Sequence, residues 1–268
     1  MAAQSELRPG TAQLCRVLPE KGNPLPDLKA LVLAAGKSTR IAPVSGGLPK
    51  PLIKIQGETV LGRNLWCLSR QGITQVWINL HYQPDEIRAV VGDGSQVGLT
   101  VHYEYEPTIL GTAGAVRNLS SEWTETFLVV YGDSLLSFDL LDFLKFHQEH
   151  RAAVSVALFD CERHPHTGIA GGRVGLAEDG RIQEFCEGSS DPLLPMVNVG
   201  VYLLEPEIVG EIPLGRFYDF GRDLFPFLLK RGRRIFGYLI TGYCLGIDTP
   251  ESYQKAIRLI ETGEVTLP

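Results

Sequence analysis

The sequence predicts an α/β protein with a mostly parallel central sheet flanked by helices, followed by a smaller antiparallel part. Short apolar runs alternate with amphipathic stretches over the first 160 residues. This alternation is typical of parallel strands joined by right-handed helical crossovers. After residue 160 glycines become frequent and the apolar runs shorten, which indicates antiparallel strands and turns. A chain of 268 residues can form one large core, so we expect a single main domain.

The predicted elements begin at residue 29. The strands are short and apolar, as is typical of strands buried on both faces; they are predicted at 31–33, 75–79, 101–104, 127–131, 154–159, 172–176, 181–185, 197–204 and 235–240. The helices carry apolar residues three and four positions apart; they are predicted at 61–70, 84–91, 112–119, 139–150, 218–230 and 250–262. Residues 1–28 contain four prolines and no sustained period, so we expect an extended N-terminal arm there and one domain over 29–268.

Composition excludes several classes of function. The net charge of −6 disfavours non-specific binding to nucleic acid, which needs a basic surface. There is no run of 18 apolar residues and no basic segment followed by an apolar one at the N-terminus, so we expect a cytoplasmic protein with no membrane partner. The five cysteines are scattered and never form CxxC, which is typical of reduced thiols. The histidines lack zinc-site spacing.

The segment from residue 29 to 54 carries the strongest local signal. The first strand ends in the small residues Ala34-Ala35-Gly36, and a loop without bulky side chains lets a ligand approach the backbone N–H groups. Lys37, Arg40 and Lys50 add positive charge to the same segment. Together these features suit a polyphosphate. A Walker A loop is disfavoured because position 31, where its first glycine would stand, is leucine.

The pattern LxAAGxxTR over 33–40, followed by PKP over 49–51, resembles the sugar-1-phosphate nucleotidyltransferases, also called NDP-sugar pyrophosphorylases. Within that family, the sequence is most similar to guanylyltransferases for mannose-, heptose- or cyclitol-1-phosphates. The resemblance implies a Rossmann-like nucleotidyltransferase fold, with the nucleotide in residues 29–160 and the sugar phosphate in 161–268. It also implies that Arg40 and Lys50 are catalytic and contact the phosphates in the transition state. The loop that would bind the NTP base and phosphates consists of Leu33, Ala34, Ala35, Gly36, Lys37, Ser38 and Thr39.

Two aspartates are candidate ligands of Mg²⁺. Asp133 follows a buried strand and a glycine, so its carboxylate is expected at the edge of the sheet where ligands bind. The Gly-Asp pair at this place binds Mg²⁺ in the resembling family. Asp248 is the second candidate, although the family usually has its metal aspartate at position 246, which is glycine here. Asp248 instead matches a pattern of the phosphocholine cytidylyltransferases, and a helix cap is its structural alternative.

Base recognition is expected from the segment around Glu106, Gly111 and Thr112, which is similar to the base-binding segment of the family. A carboxylate accepts hydrogen bonds only, and guanine offers two adjacent donors on one edge. Glu106 therefore favours GTP, although uracil and thymine also offer one donor. The alternative for Glu106 is a solvated acid at a strand end.

The acceptor is expected to contact Glu187, Asn198 and Gly200, which stand where the family binds the sugar. The lysine that clamps the sugar phosphate in the family is missing, because position 188 is glycine. An arginine suits phosphate well, and the candidates for this charge are Arg173, Arg181, Arg216 and Arg222.

These residues predict an enzyme that condenses an NTP with a sugar-1-phosphate or cyclitol-1-phosphate to give an NDP-sugar and pyrophosphate. The attack would be in line and assisted by Mg²⁺. Two alternatives stay open: a cytidylyltransferase for a small phosphate monoester, and a non-catalytic regulatory subunit that binds a nucleotide sugar. The subunit count also stays open, with a homodimer among the arrangements that the sequence allows.

Overall fold

The computed structural model describes residues 28–37, 39–168, 171–189, 191, 193–194 and 196–268. The strands in chain order are β1 (Ala30–Leu33), β2 (Lys54–Ile55), β3 (Glu58–Thr59), β4 (Gln75–Leu80), β5 (Thr100–Tyr105), β6 (Phe127–Tyr131), β7 (Ser134–Leu136), β8 (Val154–Asp160), β9 (Arg173–Leu176), β10 (Ile182–Cys186), β11 (Met196–Leu204), β12 (Ile235–Leu239) and β13 (Cys244–Gly246). The helices are α1 (Ala42–Ser45), α2 (Val60–Arg70), α3 (Pro84–Val91), α4 (Gly111–Asn118), α5 (Leu140–Glu149), α6 (Phe225–Lys230) and α7 (Pro250–Glu261).

The central sheet joins a parallel half to a mixed half. The parallel half has the order β6-β1-β4-β5, and every neighbouring pair in it runs parallel. β11 pairs antiparallel with β6 on one side and with β8 on the other, and β12 adds parallel to β8. The hairpin of β9 and β10 extends from the start of β11. The carboxyl ends of β1, β4, β5 and β6 therefore lie along one edge, where ligands of such sheets bind.

An irregularity in β11 shapes the middle of this edge. The pairing of β11 with β8 shifts between Asn198 and Tyr202, and Gly200 adopts a φ of 78°. A β-carbon on Gly200 would lie 2.5 Å from the ring of Tyr131 on the neighbouring strand. The bulge therefore requires glycine, both for the left-handed backbone and for the space.

A separate two-stranded sheet connects the end of the chain to the end of β6. β7 follows β6 after two residues, and β13 pairs antiparallel with it, with Gly246 opposite Ser134. Asn64 on α2 donates to the carbonyl oxygen of Ser134 at 2.9 Å and fixes this turn from the other side. Because of this pairing, residues that follow β13 lie close to residues that follow β6.

The predicted fold class, a mainly parallel central sheet flanked by helices with a smaller antiparallel part, is confirmed. The nine predicted strands are all present, with ends that differ by at most one residue. The predicted helix over 218–230 is shorter, because residues Phe220–Leu224 form a π-helical turn that leads into α6. The predicted arm lies outside the described residues except for Leu28, which is 6% exposed and packs in the core.

Several short elements were not predicted. They are the hairpin of β2 and β3, the pair of β7 and β13, helix α1, and the 3₁₀ turns Lys50–Leu52, Ser95–Val97 and Pro206–Glu211. Each has too few residues to establish a period. Among the described residues, no helix combines the length and the apolar character that crossing a membrane requires.

Candidate functional site

Lys50 lies between two carboxylates at the edge of the sheet. Its ammonium nitrogen Nζ is 2.8 Å from Oδ2 of Asp133 and 2.7 Å from Oδ1 of Asp248. The lysine is 3% exposed, whereas each carboxylate keeps about a third of its side chain open to solvent (34% and 29%). A buried ammonium that donates to two partly open carboxylates is a charged cluster facing a cleft, and three of the predicted site residues meet in it.

Distant parts of the chain build this cluster. Lys50 begins the 3₁₀ turn Lys50–Leu52, which Pro49 precedes in an extended conformation. Asp133 follows β6 after Gly132, whose position leaves no space for a side chain: a β-carbon there would be 3.0 Å from the carbonyl oxygen of Leu33. Asp248 follows β13, and the pairing of β13 with β7 brings it to Asp133. The cluster therefore depends on tertiary contacts across most of the chain.

The charge state of Lys50 is set by two opposing effects. Burial lowers the pKa of the ammonium, but the charges of Asp133 and Asp248 and the hydrogen bonds to them outweigh burial and raise its pKa. Lys50 therefore stays protonated at neutral pH. Arg40 adds a second cation, because its guanidinium nitrogen is 3.8 Å from Oδ1 of Asp248 and its side chain is 68% exposed.

The two aspartates fit a site for a hard cation. Mg²⁺ is usually held by one or two carboxylates and completes its coordination with water and phosphate oxygens. Asp133 and Asp248 provide such a pair, since both reach the same nitrogen atom of Lys50. Within the described part of the chain, no group of three metal-binding side chains occurs. The donor set therefore suits a metal that also binds to a substrate.

The loop after β1 lies beside this cluster. Leu33, Ala34 and Ala35 are buried, and Lys37 and Thr39 are exposed. A β-carbon on Gly36 would meet nothing within 4 Å, so the backbone at this point borders open space. The ammonium of Lys37 lies 5.7 Å from the ring centre of Tyr82. Ser38 lies outside the described residues.

Glu106 is buried at the end of β5 and both of its oxygens have protein partners. Oε1 accepts from Nδ2 of Asn79 at 2.8 Å, and Oε2 accepts from the backbone N–H of Leu110 at 3.0 Å. The residue is 1% exposed, so it is not a solvated strand-end acid. Burial raises the pKa of Glu106, and the hydrogen bond from Asn79 opposes that rise. Its role in base recognition stays a prediction.

The predicted acceptor residues lie around the bulge of β11. The amide of Asn198 donates to the hydroxyl of Tyr202 at 2.8 Å and accepts from the N–H of Gly200 at 2.9 Å, so its side chain holds the bulge. Glu187 is exposed. Burial of its carboxylate and the charge of Asp219 raise the pKa of Glu187, and Arg222 lowers it.

Thr112 connects the two halves of the site. Its hydroxyl donates to Oδ2 of Asp219 and accepts from the backbone N–H of Phe220, both at 2.9 Å. Gly111 packs against the same segment, since a β-carbon there would lie 2.7 Å from the carbonyl oxygen of Tyr218. The start of α4, predicted for the nucleotide, and the π-helical turn beside Glu187 are thus one packed unit.

The four candidate arginines differ in their surroundings. Arg222 is the one whose charge acts on Glu187. The guanidinium of Arg173 donates to Cys161 and to the carbonyl oxygen of Leu194, and that of Arg181 lies over the ring of Phe236. The charge of Arg216 acts on Tyr218. Arg222 is therefore the strongest candidate to replace the missing lysine.

Sequence reasoning missed three features of the site. Asn79 bonds to Glu106 from inside β4, where a single amide in an apolar run gave no motif. Asp219 caps the π-helical turn by accepting from the N–H groups of Gly221 and Arg222. Lys255 and Arg258 line the cleft onto which Arg40 and Asp248 open, and their spacing of three on α7 could have indicated a shared basic face.

The family model described as Nucleotidyl transferase matches residues 29–263. The chain belongs to this family. The family predicted from the LxAAGxxTR and PKP segments is thereby confirmed.

Two curated proteins and one solved structure are similar to this chain over most of its length. A UTP–glucose-1-phosphate uridylyltransferase from Synechocystis sp. is 31% identical over 253 residues, which are 89% of this chain and 64% of that protein. A mannose-1-phosphate guanylyltransferase from Mycobacterium tuberculosis is 34% identical over 228 residues, which are 84% of this chain and 62% of that protein. The structure of HddC from Yersinia pseudotuberculosis complexed with GMP-PN has a TM-score of 0.72 at 25% identity, over 86% of this chain and 98% of that one. The chain spans a little under two thirds of the length of the two curated relatives.

Proposed function

We propose that this nucleotidyl transferase condenses an NTP with a sugar-1-phosphate or a cyclitol-1-phosphate, giving an NDP-sugar and pyrophosphate. The observation that carries the proposal is the buried ammonium of Lys50 between Asp133 and Asp248, beside a loop whose backbone at Gly36 is open to a ligand. The names of the two curated relatives support the same reaction class.

The reaction requires two anions to meet. A phosphate oxygen of the acceptor attacks the α-phosphorus of the NTP, a P–O bond forms, and pyrophosphate leaves in line. The attacking phosphate is already ionised at neutral pH, so no general base is needed. What the protein must supply is alignment and positive charge. Lys50 and Arg40 provide two cations beside the candidate metal ligands, and Lys255 and Arg258 extend the basic lining of the cleft.

Asp133 and Asp248 would hold Mg²⁺ in this proposal. The bound ion would supply a Lewis acid that neutralises charge on the phosphate oxygens. The carboxylates have a second role that does not need the metal, because they hold Lys50 charged and in place at the end of β6. Arg40 contacts Asp248 from the solvent side and would be free to turn toward a phosphate.

GTP is the proposed nucleotide. Two carboxylate oxygens in one plane can accept from the two adjacent donors of guanine, and Glu106 would do so through the lone-pair positions that its bonds from Asn79 and Leu110 leave over. The binding of GMP-PN by the structural relative from Yersinia supports this choice. The similarity to a UTP-using relative makes UTP the main competitor.

A matrix of substrates tests the proposal. GTP, UTP, CTP and ATP are each combined with mannose-, heptose-, glucose- and inositol-1-phosphate and with phosphocholine, a small phosphate monoester, and pyrophosphate release is measured with and without Mg²⁺. We expect release only when both substrates are present, and fastest with GTP. Release with CTP and a small phosphate monoester alone would identify a cytidylyltransferase. Tight binding of a nucleotide sugar without any release would identify a regulatory subunit, and either result would overturn the proposal.

Arg222 is expected to bind the phosphate of the acceptor. The substitution Arg222→Ala should raise KM for the sugar phosphate about tenfold or more, the typical value of a lost charge-assisted hydrogen bond. KM for the NTP should change less, because the charge of Arg222 acts on Glu187, one of the residues expected at the acceptor. Arg181→Ala is the matched control, since it removes the same charge from beside Phe236. Equal effects of the two substitutions on KM would show that only net charge matters.

A further inference from the structure

Asn79 lies between the segments that follow β1 and β5 in the nucleotide half. It is 3% exposed and lies one residue before the end of β4, between β1 and β5 in the sheet. Its Oδ1 atom accepts from the backbone N–H of Ala34 at 2.9 Å, and its Nδ2 atom donates to Oε1 of Glu106 at 2.8 Å. One amide therefore joins the small-residue loop after β1 to the carboxylate at the end of β5.

The contacts of Glu106 fix the plane of its carboxylate. Asn79 holds one oxygen and the N–H of Leu110 holds the other, while the backbone carbonyl of Glu106 is 2.7 Å from Nδ1 of His81. An ionised carboxylate has about four lone-pair positions, so each oxygen keeps one after these bonds. The two that remain lie in the plane that Asn79 and Leu110 fix, so these contacts set the directions from which a further donor can approach Glu106.

We propose that Asn79 is a positioning residue that orients Glu106 for recognition of the NTP base. This inference rests on the proposed function, since it assigns a base to the side chain of Glu106. Asn79 touches no reacting atom. It acts by orienting Glu106. Its second hydrogen bond, to the N–H of Ala34, fixes the position of this carboxylate relative to the loop that would bind the same nucleotide.

The side-chain donor also favours the ionised form of Glu106. Burial raises the pKa of this carboxyl group, the nearby charge of Glu104 adds to the rise, and the bonds from Asn79 and Leu110 together with His81 oppose it. Without the donor on Asn79, the carboxyl group of Glu106 would bind a proton more readily. A protonated carboxyl group offers one acceptor fewer to a base.

The substitution Asn79→Asp removes the donor and keeps the shape. The oxygen that replaces Nδ2 would face Oε1 of Glu106, while Oδ1 still accepts from Ala34. Two carboxylates at this distance repel each other or share a proton, and either result disturbs the plane of Glu106. Asn118→Asp is the matched control: Nδ2 of Asn118 donates to Oε1 of Glu104 at the same distance of 2.8 Å, and it is exposed at the end of α4.

The measurement is equilibrium binding of GTP, ITP, UTP and ATP to the wild-type chain and the variants, with KM and kcat as a second readout. ITP lacks the second donor of guanine, so the ratio of GTP to ITP affinity reports the paired contact. We expect a ratio of about ten or more in the wild type, the usual discrimination of a bidentate pair. Asn79→Asp should bring the ratio close to one and raise KM for GTP, with kcat nearly unchanged. Asn118→Asp should keep the wild-type ratio.

A double variant separates recognition from folding. In Asn79→Asp/Glu106→Gln a donor faces an acceptor again, with the direction of the bond reversed, so the melting temperature should recover toward the wild-type value. The GTP-to-ITP ratio should stay close to one, because the glutamine cannot accept from both guanine donors. A ratio that recovers together with the melting temperature would overturn the inference and leave Asn79 with a structural role.

The outcomes also distinguish the inference from the proposed function. A wild-type chain that prefers GTP in binding but releases no pyrophosphate would contradict the transferase, while the variants still test Asn79. A chain that releases pyrophosphate but keeps its GTP-to-ITP ratio in Asn79→Asp would contradict the inference alone. A wild-type chain without base preference would also overturn it, since Glu106 would then recognise no base.

Discussion

Replacing Lys50 by methionine is expected to lower kcat about 1000-fold, the usual effect of removing a preorganised charge from a transition state of this kind. Methionine is similar in length and tolerates burial, so the change removes the ammonium rather than the volume. The loss should appear in kcat more than in KM for the NTP, because the negative charge that Lys50 neutralises is greatest while pyrophosphate departs.

The environment of Lys50 gives this prediction a second readout. The charges of Asp133 and Asp248 raise the pKa of the ammonium, so Lys50 is charged at every pH at which the protein would be assayed. The wild-type pH profile should therefore show no loss of activity from this lysine as the pH rises through 9. If the wild type lost activity near pH 9 and Lys50→Met did not, this loss would come from Lys50, and the role assigned to a permanently charged Lys50 would be wrong.

Lys54→Met is the control for this experiment. Lys54 lies four residues later on β2 and is exposed, so its loss changes the net charge equally but leaves the cleft unchanged. We expect its kcat to stay close to the wild-type value. Far-UV circular dichroism and thermal melting establish that both variants fold. If Lys50→Met folds and turns over at the rate of Lys54→Met, Lys50 does not act in the transition state.

The sheet and part of the site could be predicted from the sequence because their signals are local. The small residues Ala34-Ala35-Gly36 and the Gly-Asp pair at Asp133 each follow a strand, and carboxyl ends of parallel strands meet at one edge. That rule predicts the proximity of Lys50's segment to Asp133 without any structure. It does not predict the distance of 2.8 Å between them, which depends on the short 3₁₀ turn Lys50–Leu52.

The features that were missed depend on contacts between distant segments. The pair of β7 and β13 has three residues on each side, so no periodicity exists in either, and yet this pair brings Asp248 to Lys50. Asn79 is hidden in an apolar run, and only its contacts with Ala34 and Glu106 distinguish it from a misplaced polar residue in a core strand. Buried polar groups need hydrogen-bond partners, and the sequence does not show which residues these partners are.

The end of β13 shows which residue of the ambiguous motif reaches Lys50. Gly246, at the position where the resemblance predicts a metal aspartate, is the last residue of β13 and accepts a hydrogen bond from Thr167 through its carbonyl oxygen. Asp248 lies two residues later, outside the strand, and its carboxylate reaches Lys50. Asp248 therefore provides a carboxylate beside Lys50 although it lies beyond the strand.

The substitution Asp133→Asn is expected to lower kcat about 1000-fold and to raise the concentration of Mg²⁺ that gives half-maximal rate, because one of two carboxylates is lost. Asparagine preserves the shape and can still accept a hydrogen bond from Lys50, so the fold should survive. Mn²⁺ binding followed by electron paramagnetic resonance in the presence of nucleotide provides a readout that does not depend on turnover. We expect it to weaken in parallel with the rate.

Asp85→Asn is the matched control for Asp133→Asn. The side chain of Asp85 is 92% exposed and pairs with Arg88 on α3, so its loss changes the net charge by the same amount and removes a contact with Arg88 rather than with Lys50. Its Mn²⁺ affinity and kcat should equal those of the wild type. A lower kcat for Asp133→Asn with unchanged Mn²⁺ affinity would assign Asp133 to holding Lys50 rather than to the metal. Unchanged values of both would remove Asp133 from the site, because neither of its contacts would then affect the reaction.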